Sequence, residues 1–152
     1  LENTGIFGGG LFAGYGQPQG MRLGLYANLF DIRIGAGYGY AAIMLLAPFA
    51  MMDISTVYSV FIEYPKCIYK SIGIGVTFSE LYRGQSIYRY AGIYMQSTIL
   101  LKKLQSLSLS AGIGSRFERY LAGYKYTSDQ FPVEYQFLFD VKFNFNLLGV
   151  QL

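Results

Sequence analysis

Nine charged side chains have the types and spacing to act together: Arg22, Asp31, Arg33, Glu63, Arg116, Glu118, Glu134, Asp140 and Lys142. In each local stretch they alternate with apolar neighbours, so a strand would turn them all to one face. Four bases and five acids nearly balance. Their first chemistry is therefore mutual neutralisation, because charge is costly in a narrow, poorly hydrated space unless it is paired and hydrogen-bonded. A relay of such pairs could also pass an ion or a proton.

Acid–base catalysis has little support. The chain has no histidine, the side chain that most often transfers protons near neutral pH. Cys67 is the only cysteine. With no imidazole beside it, it suggests neither a thiol nucleophile nor a His/Cys metal site, and it cannot form an internal disulfide. The expectation is a protein that is not an enzyme and uses no cofactor and no metal. Gly8-Gly9-Gly10 and Gly35-Ala36-Gly37 superficially evoke phosphate loops. A dinucleotide fingerprint needs a strand, a turn and then a helix N-terminus, whereas these glycines recur with period two inside strand-like runs. They read as small residues that make room in a narrow lumen, opposite the long arginine side chains.

The elements that must position these groups are strands, and the last one is the plainest. From Val133 every second residue is apolar or aromatic: Val133, Tyr135, Phe137, Phe139, Val141, Phe143, Phe145, Leu147. Between them lie Glu134, Gln136, Leu138, Asp140, Lys142, Asn144 and Asn146. Such a ribbon separates two different surroundings, and it exceeds the roughly 10 tilted residues that cross a bilayer. Composition agrees. Charged residues are only 14% and aromatics 18%, with 15 Tyr, 12 Phe and 19 Gly, against roughly 25% charge in an average soluble domain. The net charge of +3 is scattered and gives no reason to expect a nucleic-acid partner. No window nears the 18 apolar residues of a spanning helix, and a signal peptide, if there was one, is expected to be gone already.

Alternation predicts eight strands in one domain, residues 1–152. They run from Ile6 to Tyr15, Met21 to Leu29, Asp31 to Tyr40, Ser55 to Tyr64, Ile68 to Phe78, Ile87 to about Leu100, Leu107 to Glu118, and Val133 to Leu147. Connections after strands two, four and six are expected to be short, the fourth through Pro65-Lys66. Those after three, five and seven are expected to be longer, and the one after strand one intermediate. Short turns on one side and longer loops on the other, with an even strand count, are the outer-membrane pattern. The fold class expected is an all-β, eight-stranded antiparallel up-and-down transmembrane β-barrel. The rival is a soluble lipocalin-like barrel with the apolar face inside. Against it, the other face is dominated by Gly and Ser (Gly35, Gly37, Gly39, Gly73, Gly75, Ser108, Ser110, Gly112, Gly114), where a watery exterior would carry more Lys and Glu.

In pattern, the whole chain resembles the small eight-stranded outer-membrane barrels of Gram-negative bacteria, the family of the OmpA transmembrane domain. The closing strand, with Tyr135, Phe137, Phe139, Phe143 and Phe145, is similar to the C-terminal signal by which such proteins are recognised for insertion. The resemblance implies a multi-pass place in the bacterial cell outer membrane, with the lipid bilayer as a partner. Barrel proteases, phospholipases and acyl-chain enzymes of that membrane rely on a catalytic histidine, so those activities are not expected.

An eight-stranded interior is one that side chains just fill, so a plugged lumen is expected. Ala41 to Met52 is unusually apolar for a loop; Ile43, Met44, Leu45, Leu46, Phe49, Met51 and Met52 could dip into the interface or contact another protein. The favoured expectation is a structural or accessory subunit of an outer-membrane transport or secretion complex, partnered by other outer-membrane proteins. The alternatives are a small porin-like channel or transporter, and a surface recognition or adhesion protein using the Tyr-rich segment Tyr120 to Pro132.

Overall fold

The computed structural model describes residues 7–17, 19–41, 55–69, 71–83, 86–102, 104–121, 124–126 and 134–148. All its elements are strands: β1 (Phe7–Gln17), β2 (Gly20–Leu29), β3 (Ile32–Ala41), β4 (Ser55–Tyr69), β5 (Ile72–Arg83), β6 (Ser86–Lys102), β7 (Gln105–Leu121), β8 (Tyr124–Tyr126) and β9 (Glu134–Leu148). Every pairing is antiparallel. Each long strand pairs with its neighbours in the chain, and β9 pairs with both β7 and β1. The eight long strands therefore close into an up-and-down barrel. The three residues of β8 extend β7 as a small hairpin, Leu121 opposite Tyr124.

The stagger of the barrel follows from its register. Stepping across partners from Gly10 leads through Tyr26, Gly35, Phe61, Thr77, Gly92, Gly114 and Gln136. Gln17 faces Phe139 across the seam, so Gln136 projects to position 20, ten residues from the start. At roughly 3.3 Å per residue and roughly 4.8 Å between strands, ten residues over eight strands tilt the strands by about 40°.

The two faces of the wall are inverted relative to a water-soluble barrel. Met21, Leu23, Leu25, Ile34, Val60, Ile62, Ile74, Ile93 and Ile113 are exposed on the outside. Inside lie Arg22, Arg33, Glu63, Gln96, Lys142, Asn144 and the serines 59, 79, 106, 108 and 110, all buried. The closing strand shows both faces: Phe137 is 85% exposed, Lys142 2%. The expected aromatic row Tyr135, Phe137, Phe139, Phe143 and Phe145 shares the outer face; Phe143 is half-buried, its ring 4.7 Å from that of Phe145. β6, where both sets of side chains are large, turns Tyr94 and Gln96 inward and Ile93 and Met95 outward.

Several expected boundaries move. β4 does not turn at Pro65-Lys66 but runs on to Tyr69, with pairing interrupted between Tyr64 and Tyr69. Proline has no N–H for the ladder, so the strand bulges there without ending. β5 accordingly starts at Ile72 rather than Ile68. The polar segment expected as a long connection after strand five is paired instead: Glu80 faces Arg89, and Arg83 faces Ser86. The connection after β1 is also tight, with Gly16 opposite Gly20, and Gly20 takes a left-handed φ of 62° that suits glycine. Two of the four connections on that side are thus short. Ala42 to Ile54, which holds the predicted contact residues Ile43, Met44, Leu45, Leu46, Phe49, Met51 and Met52, lies outside the described residues.

The inward glycines have a different use from the one expected. A Cβ at Gly35 would strike the ring of Phe61, its cross-strand partner, and one at Gly75 would lie 2.5 Å from Cζ of Tyr94, likewise its partner. These glycines make room chiefly for aromatic rings laid across the lumen rather than for arginines. Phe12 and Phe61 meet edge to face at 5.4 Å and, with Tyr26, form the small apolar core.

Candidate functional site

The strands bring five of the nine predicted charges into the lumen: Arg22 on β2, Arg33 on β3, Glu63 on β4, and Asp140 and Lys142 on β9. Glu63 is the hub, 1% exposed. Its carboxylate accepts from Lys142 Nζ and, at 2.8 Å, from the Tyr94 hydroxyl. Arg33 Nη1 lies 3.9 Å from its other oxygen. Turned with its nitrogen toward Glu63, the Gln96 amide donates at 3.1 and 3.2 Å. The aromatic rings complete the shell. Lys142 Nζ sits 4.1 Å from the centroid of Phe61 and 5.5 Å from that of Tyr94, and the Arg33 guanidinium 4.7 Å from that of Tyr26. Cation–π attraction strengthens with burial, and Lys142, Arg33, Phe61, Tyr26 and Tyr94 are all buried.

A second node surrounds Arg22. Its Nη2 donates to Asp140 at 2.5 Å, and its Nη1 to Gln19 and, at 3.3 Å, to Ser59. Gln19 passes the network on, donating to Thr77 at 2.9 Å and Ser79 at 2.7 Å. A third, uncharged node joins Asn144 to Ser108 at 3.0 Å and to Ser106 at 3.3 Å. Buried charge needs this density of partners, since an ion taken out of water must recover its hydration from fixed dipoles.

The other four predicted charges are placed differently. Asp31 is a correction: it lies in the exposed two-residue turn between β2 and β3, outside the lumen. That turn is tight because Phe30 takes a φ of 55°, its ring 6.1 Å from Phe7. Glu134 is also a correction; its side chain is 63% exposed at the barrel's rim, 3.1 Å from Arg116. Arg116 itself reaches over the ring of Tyr88 at 5.5 Å. The backbone of Glu118 belongs to β7, while its side chain lies outside the described residues.

Sequence reasoning missed an ion pair, Arg89 Nε to Glu80 Oε1 at 2.6 Å, with the Tyr82 hydroxyl on the other oxygen at 2.7 Å. Continuing the alternation of Phe78 through residue 80 would have exposed it. The uncharged members, Gln19, Gln96, Tyr94 and Tyr26, were also missed. Only the parity of Tyr26 was legible; both faces of β6 carry large residues around Tyr94 and Gln96, Gln19 lies in a turn, and the reach of all four across the lumen was not legible.

A cavity of about 20 Å³, bordered by Arg22, Ser110, Asp140 and Lys142, has room for about one water. On the outer wall, by contrast, an open apolar recess of about 610 Å³ is lined by Ile62, Ile74, Val76, Ile93, Met95 and Ile113. Toward the end of the barrel where β3 stops and β4 begins, the outer face carries a tyrosine ladder. Tyr38 lies 5.7 Å from Tyr40 and 5.0 Å from Tyr58, and Tyr58 lies 5.6 Å from Tyr82. Among the described residues no cluster of His, Cys, Asp and Glu is arranged to hold a metal ion. Cys67 is exposed. What the arrangement can do is hold eight strands in one register from within and leave the outer wall as the broad surface for contact. Neither the scan against protein-family models nor the search of curated proteins found a match to this chain.

Proposed function

We propose that this protein is an integral barrel of a bacterial outer membrane that works through its outer wall, as a structural or accessory subunit of a transport or secretion assembly. One observation carries the reading: an exterior that is apolar across the middle of the wall surrounds an interior packed with buried polar side chains. On the tilt above, the outward apolar run from Met21 to Leu29 on β2 and from Tyr135 to Leu147 on β9 is roughly 20 to 30 Å tall, near the roughly 25 Å apolar band of such barrels. The tyrosine ladder supports it too, because amphipathic rings favour the boundary between hydrocarbon and headgroups. The recess on the wall is a place for an apolar partner segment. The channel alternative needs a continuous path past the buried pairs of Glu63 with Lys142 and Arg22 with Asp140, and planar-bilayer recordings are expected to be flat. Gentle solubilisation of the native membrane followed by crosslinking and native gels tests the subunit reading. A discrete larger complex is expected, and a lone monomer in every mild detergent would overturn it.

A further inference from the structure

We infer that the small cavity beside Arg22 is a binding site for one monovalent anion of the halide class. Two independent features point to it. The first is charge. Among the described residues, the buried ion cluster holds three bases, Arg22, Arg33 and Lys142, and two acids, Glu63 and Asp140, leaving one positive charge uncompensated. An uncompensated charge in a dry interior is far more costly than a paired one. The second is hydrogen bonding. Arg22 uses Nη1 and Nη2 on Gln19, Ser59 and Asp140, yet its buried Nε has no partner, and neither does the buried Ser110 hydroxyl. Both residues border the same cavity of about 20 Å³, with Lys142 on its wall.

A water there would satisfy the two orphaned groups and leave the surplus charge. A halide, little larger than water, satisfies both groups and cancels the charge. Asp140 also borders the cavity; its negative charge is already counted in the balance above, and its Oδ1 accepts from Arg22 Nη2 at 2.5 Å. Polyatomic anions such as sulfate are excluded by size.

Crystals of the full chain folded in detergent, with bromide replacing chloride, test the site directly. One buried anomalous peak is expected between Arg22 Nε and Ser110 Oγ; density without anomalous signal there is a water and overturns the inference. In solution, the thermal midpoint is expected to rise in chloride or bromide relative to gluconate at matched ionic strength. The halide concentration giving half of that rise should increase about tenfold in Ser110→Ala, which loses one bond to a charged group. In Ser110→Asp, whose carboxylate replaces the anion, the halide dependence should vanish. Equal midpoints for the parent protein in chloride and gluconate, or an undiminished halide response in Ser110→Asp, would also overturn it.

Discussion

The inner and outer faces of the same strands are held by different physics. Inside, Glu63 accepts hydrogen bonds from Lys142 and Tyr94 and faces the Arg33 guanidinium at 3.9 Å, so charge and hydrogen bonding interlock the four side chains. Outside, Leu23, Leu25 and Val60 project from the wall in rows, each replaceable by any side chain its solvent accepts. A strand residue's tolerance is thus set by the face it lies on, at odds with the usual rule that cores are apolar and surfaces polar.

The sharpest way to break that contrast is at the hub. Glu63→Leu strands Lys142 and Arg33 without their counter-charge and should destabilise the barrel by about 3–5 kcal/mol. Urea titration of tryptophan-free protein by circular dichroism measures it, and a loss below 1 kcal/mol would mean the lumen is hydrated. Next comes the outer face at its middle. Leu25, 64% exposed, changed to Arg should cost about 2–4 kcal/mol in liposomes if lipid covers it. A cost within about 0.5 kcal/mol, the usual range for a watery surface, would sink the membrane reading while leaving the barrel intact. Gly35→Ala probes the inner face by overfilling. Its methyl meets the Phe61 ring, and a loss of about 1–3 kcal/mol is expected; Gly35→Ala with Phe61→Leu should recover part of it, and no recovery would show that the ring is not the obstacle. The smallest effect belongs to the rim. Glu134→Gln removes the exposed half of the pair with Arg116 and should change stability by about 0–1 kcal/mol. A larger loss would extend the buried network to the rim.

Much of the wall was legible beforehand. The parity of β2, β3, β7 and β9 followed from alternation, and so did the inward placement of Arg22, Arg33, Glu63, Asp140 and Lys142. Boundaries were less legible where one residue's chemistry misled. Pro65 read as a turn and proved a bulge, and polar Ser79 to Ser86 read as a loop although Arg83 pairs with Ser86 within it. Asp31 shared the parity of Arg33 but fell one residue outside the strand, into the turn.

The chain's own order of residues determined which side chains face together, because the pleat reverses direction at every residue and needs no information from elsewhere. It could not determine which inward groups meet. Glu63 and Lys142 are 79 positions apart, and they touch only because eight registers add up to a stagger of ten that tilts β4 and β9 to a common level. That sum belongs to the closed barrel, since a one-residue slip at any seam would carry Lys142 away from its carboxylate.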